Sequence, residues 1–403
     1  MANKLKILFA LALCGFVLSS CGNKTPDTDM WDGKQLAKVK KAIAENDPVY
    51  TKAYEILINR AEAELQKPNP TVMDKPMTPA SGDKHDYMSI GRYWWPNPDT
   101  PDGLPYVRHD GKSNPELNRY DRQRLGAMAS SVVNLGLAYY LSGEQKYADK
   151  AVSILDTWFI DPATRMNPNM NFGQTIPGHN EGKGRAEGVI DTYSFVPMID
   201  AITLLWEGKA LSKEQLLTLK KWFDDYTTWM TQSEIGQDEQ SATNNHSVAY
   251  DVQLALFSRF AGKHKLAVKT LKEFPKKRIF AQIEPDGSQP RELGRTTGMG
   301  YSTFNLTHFL DMADIARKQK IKVYHAKSED GRSIDAAIGF LTPYLGKSVE
   351  AWPYQQISGW DGALRNLTLV LYRADHYNPE AGYMELYEKY GTDPDYMFTL
   401  LYY

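Results

Sequence analysis

The sequence predicts an all-α protein, an incomplete α/α toroid (α/α barrel) of antiparallel helix pairs whose long loops form a cleft. Apolar residues recur at helical spacing through most of the chain, a pattern that indicates amphipathic helices. There is no Asn-Gly dipeptide and no run of alternating apolar and polar residues, so strand signals are scarce. Short and long connections alternate, and long loops gathered at one end of a rigid toroid are where functional groups are expected.

Composition narrows the class of protein. The 403 residues are 42% hydrophobic and 24% charged, with a formal net charge of −2. These values are ordinary for a soluble globular protein, and the charge balance argues against non-specific nucleic-acid binding. The chain has 24 Tyr, 14 Phe and 9 Trp, an aromatic content that is common in proteins that stack on sugar rings.

The first residues have the pattern of a lipoprotein signal. Two lysines precede an apolar run over 7–18, which is too short for a stable membrane span. Leu18-Ser-Ser-Cys21 resembles the bacterial lipobox, in which the cysteine is acylated. We therefore expect a signal peptide over 1–20, a tether over 21–33, and a toroid domain over 34–403. The lipid on Cys21 would hold that domain at the outer membrane, facing the periplasm or the cell surface.

The mature chain would keep no free thiol, because Cys14 leaves with the signal and Cys21 carries the lipid. Cysteine nucleophiles and cysteine-ligated zinc are thereby excluded. Loss of Lys4 and Lys6 would change the formal net charge from −2 to −4.

Helical periodicity divides the domain into successive helices. Residues 34–66 hold two helices with a break near Asn46–Val49, and 67–116 is rich in Pro, Gly and aromatic residues. A structureless stretch of that length is usually functional, as are the long connections 160–189, 232–243 and 284–300. The other predicted helices are Asn118–Leu141 with Gln145–Phe159, Ile190–Trp206 with Lys213–Thr231, Ser247–Phe260 with Lys265–Ile283, and then Tyr301–Gln319, Ser333–Leu345, Leu364–Tyr372 and Pro379–Tyr390.

Two loop segments offer candidate substrate-binding residues. In 81–98, charges are interleaved with aromatic rings, which suits a platform for a charged sugar; the alternative is that the rings fill the core. In 169–185, amides predominate, which suit hydroxyl and carboxylate groups but also form turns. The candidates in the first segment are Lys84, His85, Tyr87, Arg92, Trp94 and Trp95, and those in the second are Asn171, Gln174 and Arg185, with Lys183 beside them.

Two helix starts carry candidate catalytic groups. Asn244-Asn245-His246 stands just before an apolar helix, where free backbone N–H groups, two amides and an imidazole make a pocket for a carboxylate. Arg295 and Tyr301 lie six residues apart across a glycine-rich turn at another helix start. The structural alternatives are that Asn caps the first helix, that Arg295 pairs with Glu292, and that Tyr301 belongs to the core.

Together these segments resemble the alginate lyase superfamily of polysaccharide lyases. The resemblance rests on Asn244-Asn245-His246, on Arg295 with Tyr301, and on the Lys84-His-Asp-Tyr87 loop, and it covers roughly residues 50–375. The run Gly-Arg-Tyr-Trp-Trp-Pro-Asn-Pro over 91–98 is most like polysaccharide lyase family 38. The better-known members have one more residue between this Arg and Tyr, so Arg291 is an alternative to Arg295.

The resemblance implies an α/α toroid and β-elimination on a 4-linked uronate polymer. Asn244 or Asn245, with Arg295, would neutralise the C5 carboxylate and stabilise the enolate-like state, as donors do in an oxyanion hole. In mannuronate the C5 proton and O4 lie on one face, so Tyr301 could be both base and acid. In guluronate they lie on opposite faces, so His246 could be the base and Tyr301 the acid. A tyrosine base needs a cation such as Arg295 to lower its pKa.

The expected substrate is alginate, with glucuronan as the alternative polymer, and the chain is expected to be a monomer that needs no metal or organic cofactor. Local attraction of the polyanion would come from Lys84, Arg92, Lys183, Arg185 and Arg295. Two other classes stay open. One is a non-catalytic glycan-binding lipoprotein. The other is a glycoside hydrolase, which needs two carboxylates about 5–10 Å apart, with candidates Glu187, Asp191, Glu284, Asp286 and Asp361.

Overall fold

The computed structural model describes residues 25–403, so the predicted signal peptide and Cys21 lie outside it. The helices are α1 Gly33–Ala44, α2 Pro48–Leu65, α3 Asp121–Ser142, α4 Gln145–Leu155, α5 Phe195–Glu207, α6 Lys213–Gln232, α7 Glu234–Ser241, α8 Asn245–Phe260, α9 His264–Phe274, α10 Phe280–Gln282, α11 Pro290–Leu293, α12 Gly298–Lys318, α13 Ile334–Leu341, α14 Trp360–Asp375, α15 Tyr383–Tyr390 and α16 Tyr396–Tyr402. The strands are β1 Met88–Ile90, β2 Trp94–Trp95, β3 Val107–Arg108 and β4 Phe172–Thr175.

These helices form the predicted all-α toroid. Helices α3, α5, α8, α12 and α14 pack side by side in that order. Helices α8 and α12 are buried over almost their whole length, whereas α6 and α9 bury one face. An inner helix enclosed by neighbours must be apolar all round, and an outer helix needs only an apolar stripe. The burial pattern therefore separates an inner layer from an outer one.

Local sequence explains the ends of the paired helices. Ser212 and Gln215 form a reciprocal capping box at the start of α6, with hydrogen bonds of 3.1 and 2.9 Å, which satisfies backbone donors that the helix itself leaves free. Gly143 ends α3 at a φ of 76°, a left-handed conformation that glycine adopts without strain. The short turn that follows leads directly into α4, so the two helices run antiparallel.

The structure corrects the predicted elements in three places. Segment 232–243, expected to be a loop, contains α7, whose start is capped by Ser233 Oγ accepting from the Gly236 amide at 3.0 Å. This helix has only one large apolar residue, Ile235, and so lacks the apolar periodicity that reveals helices. The C-terminal helix α16, which packs on α2, was not predicted. Within the irregular stretch 67–116, β1 pairs in parallel with β4, and β2 pairs antiparallel with β3.

The expected tether over 21–33 is wrong from Pro26 onward, because Pro26 is already buried. Thr28, Met30 and Trp31 are buried. The backbone amides of residues 29, 30 and 31 donate to the buried Asp200 carboxylate at 2.6, 2.9 and 2.6 Å. Two large apolar side chains and a buried acceptor therefore fix this segment on the toroid, and any tether ends before it.

A buried ion pair anchors the long irregular stretch to the inner layer. Lys75 has no exposed side-chain surface, and its Nζ lies 2.9 Å from Asp121, the first residue of α3. The same amine donates to the carbonyl oxygens of Val72 and Lys84 at 2.6 and 2.7 Å. The Met88 amide also donates to Asp121, at 3.0 Å, so both ends of this part of the loop are held by one carboxylate.

Replacing Lys75 by Met should lower the free energy of unfolding by about 3–5 kcal/mol, because it leaves the Asp121 charge buried without its partner. Chemical denaturation measures this. The matched control is Lys67→Met, which removes a surface pair with Glu64 and should cost less than about 1 kcal/mol. Equal losses in the two variants would contradict the anchoring role.

Candidate active site

The start of α8 places an amide and an imidazole next to each other. Asn244 is the N-cap, and its Oδ1 accepts from the His246 amide at 3.2 Å. Its own amide N–H₂ has no protein acceptor among residues 25–403. Asn245 differs, because it is 1% exposed and donates to Glu292 through both its backbone N (2.6 Å) and its Nδ2 (2.8 Å). Asn244, not Asn245, is therefore the amide that a ligand can reach.

His246 is held by a carboxylate that the sequence analysis missed. Its Nδ1 lies 2.7 Å from Glu239 Oε1, and its side chain is 16% exposed whereas that of Glu239 is 2% exposed. Burial alone would lower the pKa of the imidazole, but the charge and hydrogen bond of Glu239 outweigh it and raise the pKa above 6.5. The pairing fixes the ring and leaves Nε2 as the nitrogen that can meet a ligand. Glu239 lies on α7, in the segment expected to be a loop.

Arg295 contacts the Tyr301 phenol directly. Its Nη2 donates to the Tyr301 hydroxyl at 2.9 Å, and its guanidinium carbon lies 3.9 Å from the centroid of the Tyr301 ring. A second bond of 2.9 Å joins Nη2 to Asp110, so Arg295 does not pair with Glu292. Arg291 is exposed on α11. The geometry thus favours Arg295 over Arg291, and it places the Tyr301 hydroxyl in a polar cluster and not in the core.

The start of α12 is fixed by a neighbouring loop, because Thr297 supplies no side-chain cap. The Gly298 amide donates to the Gln355 carbonyl at 2.9 Å, and the Met299 amide donates to Gln356 Oε1 at 3.0 Å. These bonds satisfy the first free donors of the helix. They hold the turn that carries Arg295 and the first turn of α12, which carries Tyr301, in one arrangement.

The irregular stretch 67–116 contributes two further groups. The Tyr93 hydroxyl lies 2.7 Å from the Tyr301 hydroxyl, and Asp110 accepts from Arg295. Tyr93 and Asp110 are brought together by the β2–β3 pairing, which the His109 amide extends by donating to the Tyr93 carbonyl at 2.7 Å. Gly111 follows with a φ of 78°, and a side chain there would come within 2.7 Å of Thr296 Oγ1. Only glycine allows this close approach.

The Tyr301 phenol is protonated at neutral pH. Burial raises its pKa most, the hydrogen bond with Tyr93 adds to this, and the charge of Arg295 only partly opposes them. Arg295 lowers the pKa of Tyr301 as expected, but burial and the Tyr93 hydrogen bond outweigh this effect. A neutral phenol next to a guanidinium is a ready proton donor, and its conjugate base would be stabilised by the same Arg295.

The two helix starts meet at Glu292. Burial raises the pKa of this carboxyl, and the Asn245 hydrogen bonds and the charges of Arg295 and His246 oppose that rise.

Further along α12, His308 is buried between the rings of Tyr193 and Phe304, with ring centroids 4.4 and 4.2 Å from its own. Burial first, and the charge of His246 second, lower its pKa to about 3.

A groove of about 750 Å³, within the range of ligand pockets, lies near this cluster. The residues that line it include Arg92, Arg122, Tyr193 and Phe304. Arg92 is the neighbour of Tyr93, and Phe304 lies one turn along α12 from Tyr301, but Tyr301 and His246 themselves are not part of the lining.

Arg122 is 31% exposed, and its Nη1 lies 3.2 Å from Oδ1 of the buried Asp191. Asp191 raises the pKa of Arg122 most, and Tyr93 and Tyr301 also raise it, so the guanidinium lies near both phenols. Arg122 was missed because a lone arginine in the first turn of a core helix carries no pattern.

Several predicted substrate-binding residues instead hold the loops in place. Tyr87 is fully buried and donates to Asp191 at 2.8 Å. Gln174 is 5% exposed and donates to the Glu187 carbonyl at 2.9 Å. The Lys84 amine donates to the Met73 carbonyl at 3.2 Å, and His85 Nδ1 lies 2.6 Å from the Arg165 carbonyl. The polar atoms of Tyr87 and Gln174 are thus used within the protein, which corrects the prediction for these two residues, whereas Lys84 and His85 keep part of their surface exposed.

The remaining candidates are partly accessible. Arg92 is exposed and reaches the groove. Trp95 donates to the Lys112 carbonyl at 2.9 Å and Trp94 packs edge-on against His179, while both keep some exposed surface.

The candidates in the second segment also have protein partners. Arg185 pairs with Glu187 at 2.8 Å and with Gln174. Asn171 is exposed, and its Oδ1 accepts from Trp229. Lys183 is paired with Glu181 on the surface.

The fold and this cluster define a class of protein. An α/α toroid with a groove, a histidine held by a carboxylate, and a neutral phenol beside a guanidinium has the construction of a polysaccharide lyase. The family model for alginate lyase matches residues 71–352. The chain belongs to the alginate lyase family and is a polysaccharide lyase.

Solved structures agree with this assignment. An alginate lyase from Bacteroides ovatus is 49% identical, with a TM-score of 0.91 over 94% of this chain and 99% of that one. Alginate lyase A1-III from Sphingomonas species A1 is 18% identical, with a TM-score of 0.54 over 88% of this chain and 94% of that one, and so shares the fold. A histidine-to-alanine variant of A1-III complexed with a tetrasaccharide is 17% identical, with a TM-score of 0.53 over 86% and 94%. No curated protein matches the chain.

The His246 pairing predicts how its pKa responds to Glu239. In the unmodified protein the imidazole should titrate above pH 6.5, and in Glu239→Gln below it, because burial then acts without the opposing charge. Histidine NMR titration, with His246 assigned by its substitution, measures both values. Glu234→Gln, an exposed change on the same helix, should leave the pKa unchanged. An unshifted His246 pKa in Glu239→Gln would contradict the pairing.

Proposed function

We propose that this polysaccharide lyase cleaves alginate by β-elimination and leaves 4,5-unsaturated uronate ends. The observation that carries the proposal is the Tyr301 hydroxyl, which lies 2.9 Å from Arg295 Nη2 and 2.7 Å from the Tyr93 hydroxyl beside the groove. The relative at 49% identity is an alginate lyase. Family membership argues against the glycan-binding and glycoside hydrolase alternatives.

The first requirement of the reaction is to stabilise charge on the C5 carboxylate. The Asn244 amide is the donor proposed to bind it with both epimers, protonated His246 adds its Nε2–H with mannuronate, and Arg122 is proposed to supply positive charge from the groove. These donors are already in position to stabilise the negative charge that develops in the enolate-like state, and each such donor typically increases the rate about 10²–10³-fold. Asn245 contributes indirectly, because its bonds to Glu292 fix the start of α8.

Mannuronate presents its C5 proton and O4 to the same side chain. Tyr301 removes the proton only in its phenolate form, which Arg295 Nη2 stabilises because it donates to the phenol oxygen. The C5–H electrons form the C4–C5 double bond, the C4–O4 bond breaks, and the proton now on Tyr301 passes to O4. One residue thus acts as base and then as acid, and the phenolate is restored.

Guluronate places the two groups on opposite faces, so it needs two residues. Neutral His246 takes the C5 proton on Nε2 while Glu239 holds Nδ1–H, and the Tyr301 phenol donates to O4. This route requires His246 to be unprotonated. Because Glu239 raises the pKa of His246, guluronate cleavage should gain rate as the pH rises through that pKa. Glucuronan is the second candidate polymer.

The cellular location is a separate part of the proposal. The lipobox over 18–21 supports acylation of Cys21 and attachment of a monomeric toroid to the outer membrane, in the periplasm or at the cell surface. Mass spectrometry of the N-terminal peptide tests this, and an unmodified Cys21 would exclude it.

Tyr301→Phe should reduce turnover of polymannuronate and polyguluronate by about 10⁴-fold or more, because acid and base steps each contribute about 10²–10⁴. His246→Ala should reduce guluronate cleavage about 10²-fold more than mannuronate cleavage, because only guluronate needs it as base. The far-ultraviolet absorbance of the unsaturated product measures both, with glucuronan as a third substrate.

The matched controls are Tyr354→Phe and His325→Ala, both at exposed positions, which should keep full activity. Residual activity of Tyr301→Phe near the unmodified level would end the assignment of Tyr301. Equal losses on both blocks in His246→Ala would refute the division of labour between the two residues.

A further inference from the structure

The two ends of the toroid differ in what they carry. The cleft lies where α8 and α12 begin. The opposite end, where α5, α8 and α12 finish, receives the N-terminal segment. The Asp27 amide donates to Glu207 at the end of α5 at 3.3 Å, and the Asp27 carboxylate pairs with Lys318 at the end of α12. Asp29 pairs with Arg259 at the end of α8. Thr25, the first described residue, therefore lies at the end opposite the cleft, here called the base.

The base carries exposed positive charge. Five of its lysines are exposed and form no ion pair within residues 25–403, and they follow α5 or α12 or lie in the first turns of α6 and α9. They are Lys209, Lys213, Lys265, Lys320 and Lys322. Several nearby carboxylates are already engaged, Asp224 with Lys263 and Glu144 with Lys146. The chain as a whole has a formal charge of −2, so the positive field of the base is local.

An exposed indole stands among these lysines. Trp206, in the last turn of α5, is 40% exposed. It is adjacent in sequence to Glu207, which binds the N-terminal segment. Tryptophan is enriched at membrane–water interfaces, where its ring sits at the level of the headgroups. The most exposed tryptophan surface of the base therefore lies beside the first described residues.

We propose that the base docks on the anionic headgroup surface of a lipid bilayer and holds the cleft away from it. The orientation rests in part on the proposed lipid on Cys21. From Cys21 to Pro26, the first buried residue, the chain spans at most about 18 Å. Each lysine near an anionic surface strengthens binding by about fivefold, and this attraction acts within a Debye length of about 8–10 Å. A short tether keeps the base within that distance, and the lysines fix which end faces the membrane.

The test uses the chain from residue 21 onward without acylation, which contains every residue of the described toroid. It is sedimented with vesicles of phosphatidylcholine containing phosphatidylglycerol, and with vesicles of phosphatidylcholine alone. We expect binding to the anionic vesicles only, weakened by added salt. The triple variant Lys209→Glu, Lys265→Glu, Lys320→Glu should lose at least about a hundredfold in partitioning.

The matched control reverses three exposed lysines elsewhere, Lys276→Glu, Lys347→Glu and Lys389→Glu, and should partition as the unmodified protein does. Thermal melting and turnover of soluble alginate confirm that both variants are folded. No binding to anionic vesicles, or equal losses in the two triple variants, would overturn the proposal. Because the protein carries no lipid and the readout is sedimentation, failure of Cys21 acylation or of alginate cleavage would be seen separately.

Discussion

Glu292 joins the two chain segments that make the site. Its two carboxylate oxygens accept from the backbone and the side chain of Asn245, which begins α8, while the charges of His246 and Arg295 both reach it. A buried carboxylate is costly unless hydrogen bonds and opposite charges compensate it. That requirement ties the position of α8 to the turn before α12, and so sets where the imidazole and the phenol stand.

Other buried or partly buried carboxylates hold functional side chains in the same way around the cleft. Glu239 orients His246, Asp110 holds Arg295, and Asp191 holds Arg122. Each functional group is thus paired with an acid that fixes its geometry and sets its protonation, while the atoms facing the groove stay available. Such preorganised groups act on developing charge without having to rearrange during the reaction. The toroid supplies the rigid frame together with Glu239 and Asp191, and the irregular stretch 67–116 supplies Asp110 and Tyr93.

The sequence alone predicted the toroid, because long amphipathic helices carry a strong periodic signal. It also identified His246 and Tyr301 as candidate catalytic residues, because polar groups at the starts of apolar helices break the local hydrophobic pattern. It missed Asp110, since pairing between residues distant in the chain leaves no local pattern, and it missed Glu239, since α7 has only one large apolar residue, Ile235, and so shows no helical periodicity. It misjudged Tyr87, because residue type does not tell an exposed sugar platform from a ring that donates to a buried acid.

The central claim is that Asn244, His246 and Tyr301 surround one uronate ring. A crystal structure of Tyr301→Phe with a bound mannuronate oligosaccharide tests it most directly. The account predicts the C5 carboxylate within hydrogen-bond distance of Asn244 Nδ2 and His246 Nε2, with C5 and O4 facing the ring edge of residue 301. An oligosaccharide bound in the groove with its carboxylates away from His246, or with C5 remote from residue 301, would contradict it.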